Sequence, residues 1–236
     1  MEIYVGTSGW LYDWNEGASL DWYVEESGLN SVELNASFYR FPYRSQATSW
    51  VKRGWALKWS IKVHRSITHF RKLRPEALDT WFRFHDLFKP MESVIDFYLF
   101  QMPPSFNCSS ENLARITRFH EASNTGLKMA VEFRNKSCFN ERIIEWCREN
   151  GIVVVSVDSP IASWIVECNR IVYLRMHGRT AWYAHDYSVE ELREVASRIT
   201  ELNPEKAYVF FNNNHWMLAN ARIMKSLLES MEGSST

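Results

Sequence analysis

Eight short runs of apolar or alternating residues recur along the chain, and they constrain its fold more than any other feature. Segments with helical periodicity separate most of them. The runs are IYVGTSG (3–9), SVELNAS (31–37), ALKWSIKVH (56–64), IDFYLFQ (95–101), KMAVEFR (128–134), IVVVSVD (152–158), IVYLRMH (171–177) and AYVFFNN (207–213). Eight strands that alternate with helices in a chain of 236 residues indicate an α/β fold, a TIM-type (β/α)8 barrel.

The connection between the sixth and seventh runs departs from this pattern. Residues 159–170 are too few for a full helix and include Pro160, so we expect the sixth helix to be short or missing. The runner-up fold is an open doubly wound sheet. The chain has neither GxGxxG nor GxxxxGK[ST], the commonest functional motifs of that fold. We expect one barrel domain over residues 1–232 and a flexible tail over 233–236.

Composition and cysteine spacing predict the compartment. The apolar fraction of 46% is ample for a full core, and the formal net charge is only −1. No apolar run approaches the ~18 residues of a membrane-spanning helix, and the chain enters a predicted strand at once, without a signal-peptide pattern. Its four cysteines are far apart, with no CxxC pair. We therefore expect a cytoplasmic protein with reduced thiols and no membrane partner.

Four of the predicted strands end in two polar residues that are two positions apart. A period of two places each pair on one face of its strand, while the apolar neighbours face the helices. The pairs are Glu33/Asn35, Lys62/His64, Glu132/Arg134 and Arg175/His177, and Gln101, Asp158, Asn212 and Asn213 end three more strands. In a barrel these side chains converge on the C-terminal mouth, where TIM barrels carry their active sites.

A self-contained ion-pair network is the competing interpretation of these residues, because buried charges must be paired. The acidic and basic members balance three against three: Glu33, Glu132 and Asp158 against Lys62, Arg134 and Arg175. A barrel interior built only for stability, however, is filled with branched apolar side chains. Charged groups at this end of the barrel therefore favour a functional site.

The loops that follow the predicted strands are basic and aromatic. They contain ten lysines and arginines and five aspartates and glutamates, which gives +5 in a chain of −1. Such an asymmetry steers anions towards the mouth of the barrel. Aromatic rings interleaved with arginines suit sugars or unstacked bases. The aromatic residues of these loops include Trp10, Tyr12, Trp14, Phe38, Tyr39, Phe41, Tyr43, Trp164, Trp182, Tyr183 and Tyr187.

These landmarks form a set of motifs that together resemble the YecE-like family, the domain of unknown function numbered seventy-two. The motifs are GTSGW (6–10), VELNASFYRFP (32–42), KVHRSITH (62–69), FQMPPSF (100–106), AVEFRNKSCF (130–139), VDSP (157–160), LRMHGR (174–179) and FNNN (211–214). The resemblance covers nearly the whole chain; Ser37 stands where the family usually has Thr. It implies a TIM barrel but no established reaction. At the level of fold, members look like metal-dependent sugar isomerases and apurinic endonucleases.

The residues at the strand ends predict an enzyme that acts on a phosphate-bearing or otherwise anionic substrate, such as a nucleotide, a sugar phosphate or a nucleic-acid strand. Glu33 and Glu132 are the predicted general acid and base, with His177 or His69 as proton partner. The predicted substrate-binding residues are Lys62, Arg134 and Arg175, which clamp the anion, with Asn35, Gln101, Asp158, Asn212 and Asn213 around it. We predict no cofactor.

Two alternatives remain at this point. A metal-dependent endonuclease- or isomerase-like barrel could draw its ligands from Glu33, His64, His69, Glu132, Asp158 and His177. Three cations at the same strand ends, and the absence of HxH or HExxH spacing, weigh against it. The other alternative is a non-catalytic nucleic-acid-binding module that uses the basic, aromatic loops, with an affinity that falls as salt rises.

Overall fold

The computed structural model describes residues 1–233 of the chain. Its strands are β1 (Glu2–Thr7), β2 (Ser31–Leu34), β3 (Lys58–Lys62), β4 (Ile95–Gln101), β5 (Met129–Glu132), β6 (Val153–Ser159), β7 (Ala162–Trp164), β8 (Ile171–Met176) and β9 (Lys206–Phe211). Its helices are α1 (Leu20–Glu26), α2 (Arg44–Arg53), α3 (Leu78–Phe88), α4 (Ser110–Ser123), α5 (Glu141–Glu149), α6 (Val189–Glu201) and α7 (Met217–Gly233). Each of the eight predicted runs overlaps one of these strands.

The strands pair in the order β5-β4-β3-β2-β1-β9-β8-β6, and β5 also pairs with β6. This second pairing closes the sheet into an eight-stranded parallel barrel with helices between the strands, so the TIM-type prediction is confirmed. The register is regular along β1 and β9, which pair from Glu2 with Lys206 to Thr7 with Phe211. Because the strands run parallel, their carboxyl ends, which carry the predicted site residues, all point to the same end of the barrel.

The sixth connection has no helix, as the sequence predicts. Residues 160–170, all of which are described, contain the short strand β7, which returns antiparallel to β6. Val157 pairs with Trp164 and Asp158 pairs with Ser163. The reversal at Pro160 leaves too few residues for a helical crossover before β8 begins.

Contacts within the chain group it into two compact units. Among the described residues, the first unit comprises 1–33, 56–58 and 155–233, and the second comprises 34–55 and 59–154. In the second unit the buried indole of Trp81 packs against the rings of Phe84, Tyr98 and Phe100, with centroids 5.1–6.1 Å apart. In the first unit, α6 begins with the predicted capping box of Ser188 and Glu191.

Two of the four cysteines are joined, which corrects the expectation of reduced thiols. Cys108 and Cys138 form a disulfide with their Cα atoms 5.3 Å apart, whereas Cys147 and Cys168 are free and buried. Cys108 follows β4 and Cys138 follows β5, and these strands pair in parallel. The pairing brings together two thiols that are 30 residues apart in sequence, a proximity that cysteine spacing alone does not reveal.

The remaining expectations concern the C-terminal tail, membrane-spanning helices and the cellular compartment. Of the predicted tail, Gly233 is the last residue of α7, and residues 234–236 lie outside the described part of the chain. Within residues 1–233, every helix is too short or too polar to cross a membrane. The cytoplasmic location stays a prediction.

The disulfide makes a prediction about the thiols. Denatured, non-reduced protein should react with a thiol reagent at Cys147 and Cys168 only. Replacement of Cys108 and Cys138 by serine should lower the free energy of unfolding by about 2–4 kcal/mol, because the unfolded chain regains the freedom of the closed loop. Peptide mass spectrometry and urea denaturation provide the measurements. Four reactive thiols in the protein as isolated would contradict the assignment.

Candidate functional site

In the first unit, the carboxylate of Glu33 is fully buried and surrounded by donors. It accepts hydrogen bonds from the hydroxyls of Ser8 (2.9 Å) and Tyr173 (2.8 Å). Arg175, equally buried, binds it with two nitrogens, Nε at 3.0 Å and Nη2 at 2.6 Å. A carboxylate has about four acceptor positions, and these four donors fill them. Glu33 and Arg175 therefore form a bidentate, charge-assisted pair.

His177 extends this network from Arg175 to Asn212. Nε2 of His177 lies 3.5 Å from Nη1 of Arg175, and its Nδ1 lies 3.3 Å from the side-chain amide of Asn212. A guanidinium can only donate, so Nε2 of the imidazole is the acceptor in this contact. The rings of Trp182 and Tyr183 lie 5.4 and 5.8 Å from the imidazole, and His177 is fully buried.

Asp158, at the end of β6, is held by donors of the same unit. Its carboxylate accepts hydrogen bonds from Ser163 (2.9 Å), Tyr187 (2.8 Å) and Nε of Arg179 (3.2 Å). Burial, reinforced by the charge of Asp158, raises the pKa of Tyr187 well above its usual value, so its hydroxyl remains a donor. Arg179 also binds Glu194 at 2.8 Å. From sequence, Arg179 is one of the loop charges without a predicted role, although it belongs to the LRMHGR motif.

Asn213 joins the segment before α6 to α7. Its amide nitrogen donates to the backbone oxygen of His185 (2.8 Å) and to the side-chain oxygen of Asn220 (2.7 Å). Asn220 in turn accepts from the backbone N–H of Tyr187 at 3.3 Å. Both amide hydrogens of Asn213 are thus used in holding the loop.

In the second unit, the ends of β3 and β5 carry a different group of side chains, which we call the Lys62 cluster: Lys62, His69, Glu132 and Arg134. Nε of Arg134 lies 2.7 Å from the buried carboxylate of Glu132. The ammonium of Lys62 lies 4.5 Å from the centre of the Phe38 ring, a cation–π contact. Phe38 also packs edge-on against the imidazole of His69, with centroids 4.9 Å apart.

The charges of the Lys62 cluster act together on His69. The pKa of His69 is lowered to about 4, first by burial and then by the positive charges of Lys62 and Arg134, against the opposing effect of Glu132. His69 is therefore neutral at pH 7, with Nδ1 3.0 Å from the hydroxyl of Thr68. Two cations face one carboxylate, so the cluster has a net charge of +1.

Three further predicted residues lie at strand ends of the second unit. Gln101 ends β4, is largely buried and is the register partner of Glu132 in β5. Asn35 is half-buried and follows β2. His64 lies 2.7 Å from the Ser66 hydroxyl and 3.3 Å from the backbone oxygen of Tyr39, and burial lowers its pKa.

The structure therefore gathers the predicted residues into two groups, one in each unit. The first unit contains Glu33, Asp158, Arg175, His177, Asn212 and Asn213, and the second contains Asn35, Lys62, His69, Gln101, Glu132 and Arg134. Throughout residues 1–233, no three histidine, cysteine or acidic side chains come together as metal ligands. Two surface cavities of about 740 and 580 Å³ lie along α3 and α4, and neither is lined by a predicted site residue.

The Glu33–Arg175 pair predicts strong coupling. We expect Glu33→Gln and Arg175→Met each to lower the free energy of unfolding by about 3–5 kcal/mol, because each leaves an uncompensated buried group. The double variant should lose less than the sum, as measured by urea denaturation. The exposed pair Glu111–Arg115 is the control and should contribute at most about 1 kcal/mol. Additive losses at Glu33 and Arg175 would contradict the prediction.

His69 predicts a pH dependence of stability. The unfolded chain binds a proton at His69 near pH 6.5, and the folded protein binds it only near pH 4. Between these values the unfolded state holds more protons, so the free energy of unfolding should fall as pH decreases and level off below the lower value. His69→Gln should remove this part of the slope. NMR titration of His69 is the direct check, and an ordinary imidazole pKa would contradict it.

Comparisons with known proteins agree with this fold over almost the whole chain. A protein from Bacillus subtilis (strain 168), "UPF0759 protein YunF", is 26% identical over 253 residues, covering 90% of this chain and 89% of that protein. The crystal structure of a DUF72 family protein from Thermotoga maritima is 27% identical and matches with a TM-score of 0.78, covering 99% of this chain and all of that one.

Two further solved structures show likeness of fold alone. A DUF72 family protein from Enterococcus faecalis, 21% identical, has a TM-score of 0.82 over 97% of this chain and 98% of that one. A xylose isomerase domain containing protein from Salmonella typhimurium, 14% identical, has a TM-score of 0.53 over 92% of this chain and 93% of that one.

The family match agrees with the motifs found in the sequence. Residues 4–235 match the family described as "Protein of unknown function DUF72". This range includes both groups of strand-end residues, and it confirms the resemblance that the sequence motifs indicated. The chain therefore belongs to the DUF72 family.

Proposed function

We propose that the chain is an enzyme that binds a phosphate-bearing or otherwise anionic substrate at the carboxyl ends of β3 and β5. The observation that carries the proposal is the Lys62 cluster, in which the cations Lys62 and Arg134 face the single carboxylate of Glu132 beside a neutral His69. In the first unit, Glu33 is bound to Arg175 and Asp158 to Arg179, whereas the four side chains of the Lys62 cluster carry two positive charges and one negative charge.

The excess charge suits an oxyanion. Desolvated cations interact with an anion more strongly than exposed ones because water screens them less. Lys62 supplies a compact point charge, and Arg134 supplies a planar guanidinium that matches phosphate or carboxylate oxygens. A bound anion would neutralise the positive charge of the cluster. The two cations that attract the anion are the same ones that disfavour a proton on His69.

The cluster also contains two groups that can transfer a proton. Neutral His69 can accept one at pH 7, and Glu132 provides a carboxylate next to it. We assign Glu33 a different role from its predicted one of general acid or base. Its four acceptor positions are filled by Ser8, Tyr173 and Arg175, so it serves as a positioning residue for Arg175. The reaction would be that of a hydrolase, lyase or isomerase with acid–base chemistry.

The metal-dependent alternative has less support. The likeness to a xylose isomerase domain containing protein is distant and concerns fold alone. The candidate ligands that the sequence offered are divided: Glu33 and Asp158 are bound to arginines of the first unit, and His69 and Glu132 have two cations beside them. Fixed positive charges oppose a divalent ion at that position.

Inorganic phosphate tests the anion site directly. Its binding should raise the pKa of His69, because a nearby negative charge favours the imidazolium form. Lys62→Met and Arg134→Gln should each weaken phosphate binding about tenfold or more, which corresponds to about 1.4 kcal/mol. NMR titration of His69 and calorimetry give the two measurements. The matched control is Lys128→Met, because Lys128 precedes β5 and pairs with Glu92 away from the cluster.

Catalysis is tested in the same series with a panel of phosphomonoesters and phosphodiesters. Glu132→Gln should still bind phosphate, which shows that the variant is folded, but it should lose turnover. The binding proposal fails if millimolar phosphate leaves the pKa of His69 unchanged, or if Lys128→Met weakens binding as much as Lys62→Met. The assignment of Glu132 fails if Glu132→Gln retains turnover.

A further inference from the structure

Two exposed aromatic rings of the second unit lie close to one arginine. Tyr39 is 65% exposed and Phe70 is 68% exposed. The guanidinium carbon of Arg65 lies 6.0 Å from the centre of the Tyr39 ring and 5.6 Å from that of Phe70. Single exposed aromatic residues are common on protein surfaces. Two exposed rings within about 6 Å of the same guanidinium are a more specific arrangement.

The turns that carry these rings are strongly basic. Residues 38–44 and 64–75 contain six lysines and arginines and no aspartate or glutamate: Arg40, Arg44, Arg65, Arg71, Lys72 and Arg74. Arg44 pairs with Asp86 and Lys72 donates to Ser105. Arg40, Arg65 and Arg71 are exposed. Arg40 follows Tyr39 in the sequence, and Arg71 follows Phe70. We call Tyr39, Arg40, Arg65, Phe70 and Arg71 the aromatic–basic patch.

The turns that carry both rings have defined local structure. Tyr39 ends the short 3₁₀ turn after β2, and its backbone oxygen lies 3.3 Å from Nε2 of His64. Phe70 is the last residue of a π-helical turn, Ser66–Phe70, a local structure that is frequent at functional sites. Lys72 and Leu73 then adopt left-handed φ angles of 48° and 57°, and Leu73 is buried. The turn that presents Phe70 is therefore anchored by its own packing.

The patch is continuous with the Lys62 cluster through Phe38. Its ring packs edge-on against Tyr39, with centroids 5.0 Å apart, and edge-on against His69 at 4.9 Å. Lys62 lies over the same ring at 4.5 Å. A ligand on the exposed rings would therefore extend towards the cluster by way of Phe38.

We propose that the aromatic–basic patch binds single-stranded nucleic acid and feeds it towards the Lys62 cluster. Bases stack on Tyr39 and Phe70, and Arg40, Arg65 and Arg71 contact the phosphates. A single strand fits best because its bases are available for stacking, whereas a duplex buries them. Binding at the patch stands by itself; the statement that the strand is the substrate rests on the proposed function.

Fluorescence anisotropy with a labelled oligothymidylate and a duplex of equal length tests the patch. The single strand should bind more tightly than the duplex, with an affinity that falls as salt rises. Tyr39→Ala and Phe70→Ala should each weaken it about 10- to 100-fold. Arg65→Gln should also reduce the salt slope. Trp55→Ala, which removes a ring that is 72% exposed elsewhere in the same unit, is the matched control and should have no effect.

Phosphate binding, followed at His69, separates this proposal from the previous one. If phosphate shifts His69 but the oligothymidylate does not bind, the patch is not a nucleic-acid site and the anion site stands. If the strand binds through Tyr39 and Phe70 but phosphate has no effect on His69, the patch stands and the anion site fails. Equal affinity for the duplex, or an equal loss in Trp55→Ala, overturns the inference from the patch.

Discussion

The buried pair of Glu33 and Arg175 is the interaction on which the interior of the first unit depends. A carboxylate or a guanidinium in this position would cost several kcal/mol if it lacked its partner. Two nitrogens of Arg175 and the hydroxyls of Ser8 and Tyr173 complete the hydrogen bonding of Glu33. The pair also fixes the plane of the guanidinium, whose Nη1 lies 3.5 Å from Nε2 of His177. Polar residues can occupy the inner face of these strands because each of them has a partner in this network.

Buried charges are paired differently in the two units, and this difference supports the proposed function. In the first unit, Asp158 accepts hydrogen bonds from Arg179 and Tyr187, just as Glu33 accepts them from Arg175 and Tyr173. The competing interpretation from sequence, a self-contained network, describes this unit well. In the second unit, Glu132 has Arg134, but Lys62 adds a second cation, and both cations add to the effect of burial in lowering the pKa of His69. The three acids and three bases that looked equivalent in sequence therefore form two groups. Glu33, Asp158 and Arg175 form a supporting group, and Lys62, Glu132 and Arg134 form a candidate binding group.

The period of two in the strands made most of the fold and much of the site predictable. Each of the eight apolar runs overlaps a strand, and Pro160 correctly marked the missing sixth helix. The same period identified Glu33, Lys62, Glu132 and Arg175 as inward-facing. Side-chain partners were not predictable, because they depend on neighbours distant in sequence: Tyr173 lies 140 residues from Glu33, and Tyr187 lies 29 residues from Asp158. The Cys108–Cys138 bridge was missed for the same reason.

The disulfide turns the segment from Cys108 to Cys138 into a covalent ring that contains α4 and β5. Glu132 and Arg134 both lie within this ring. A protease that cuts one exposed bond of α4 would therefore release no fragment, because both halves stay tethered through the sulfur atoms. After such a cut, Glu132 and Arg134 therefore remain covalently attached to the rest of the chain.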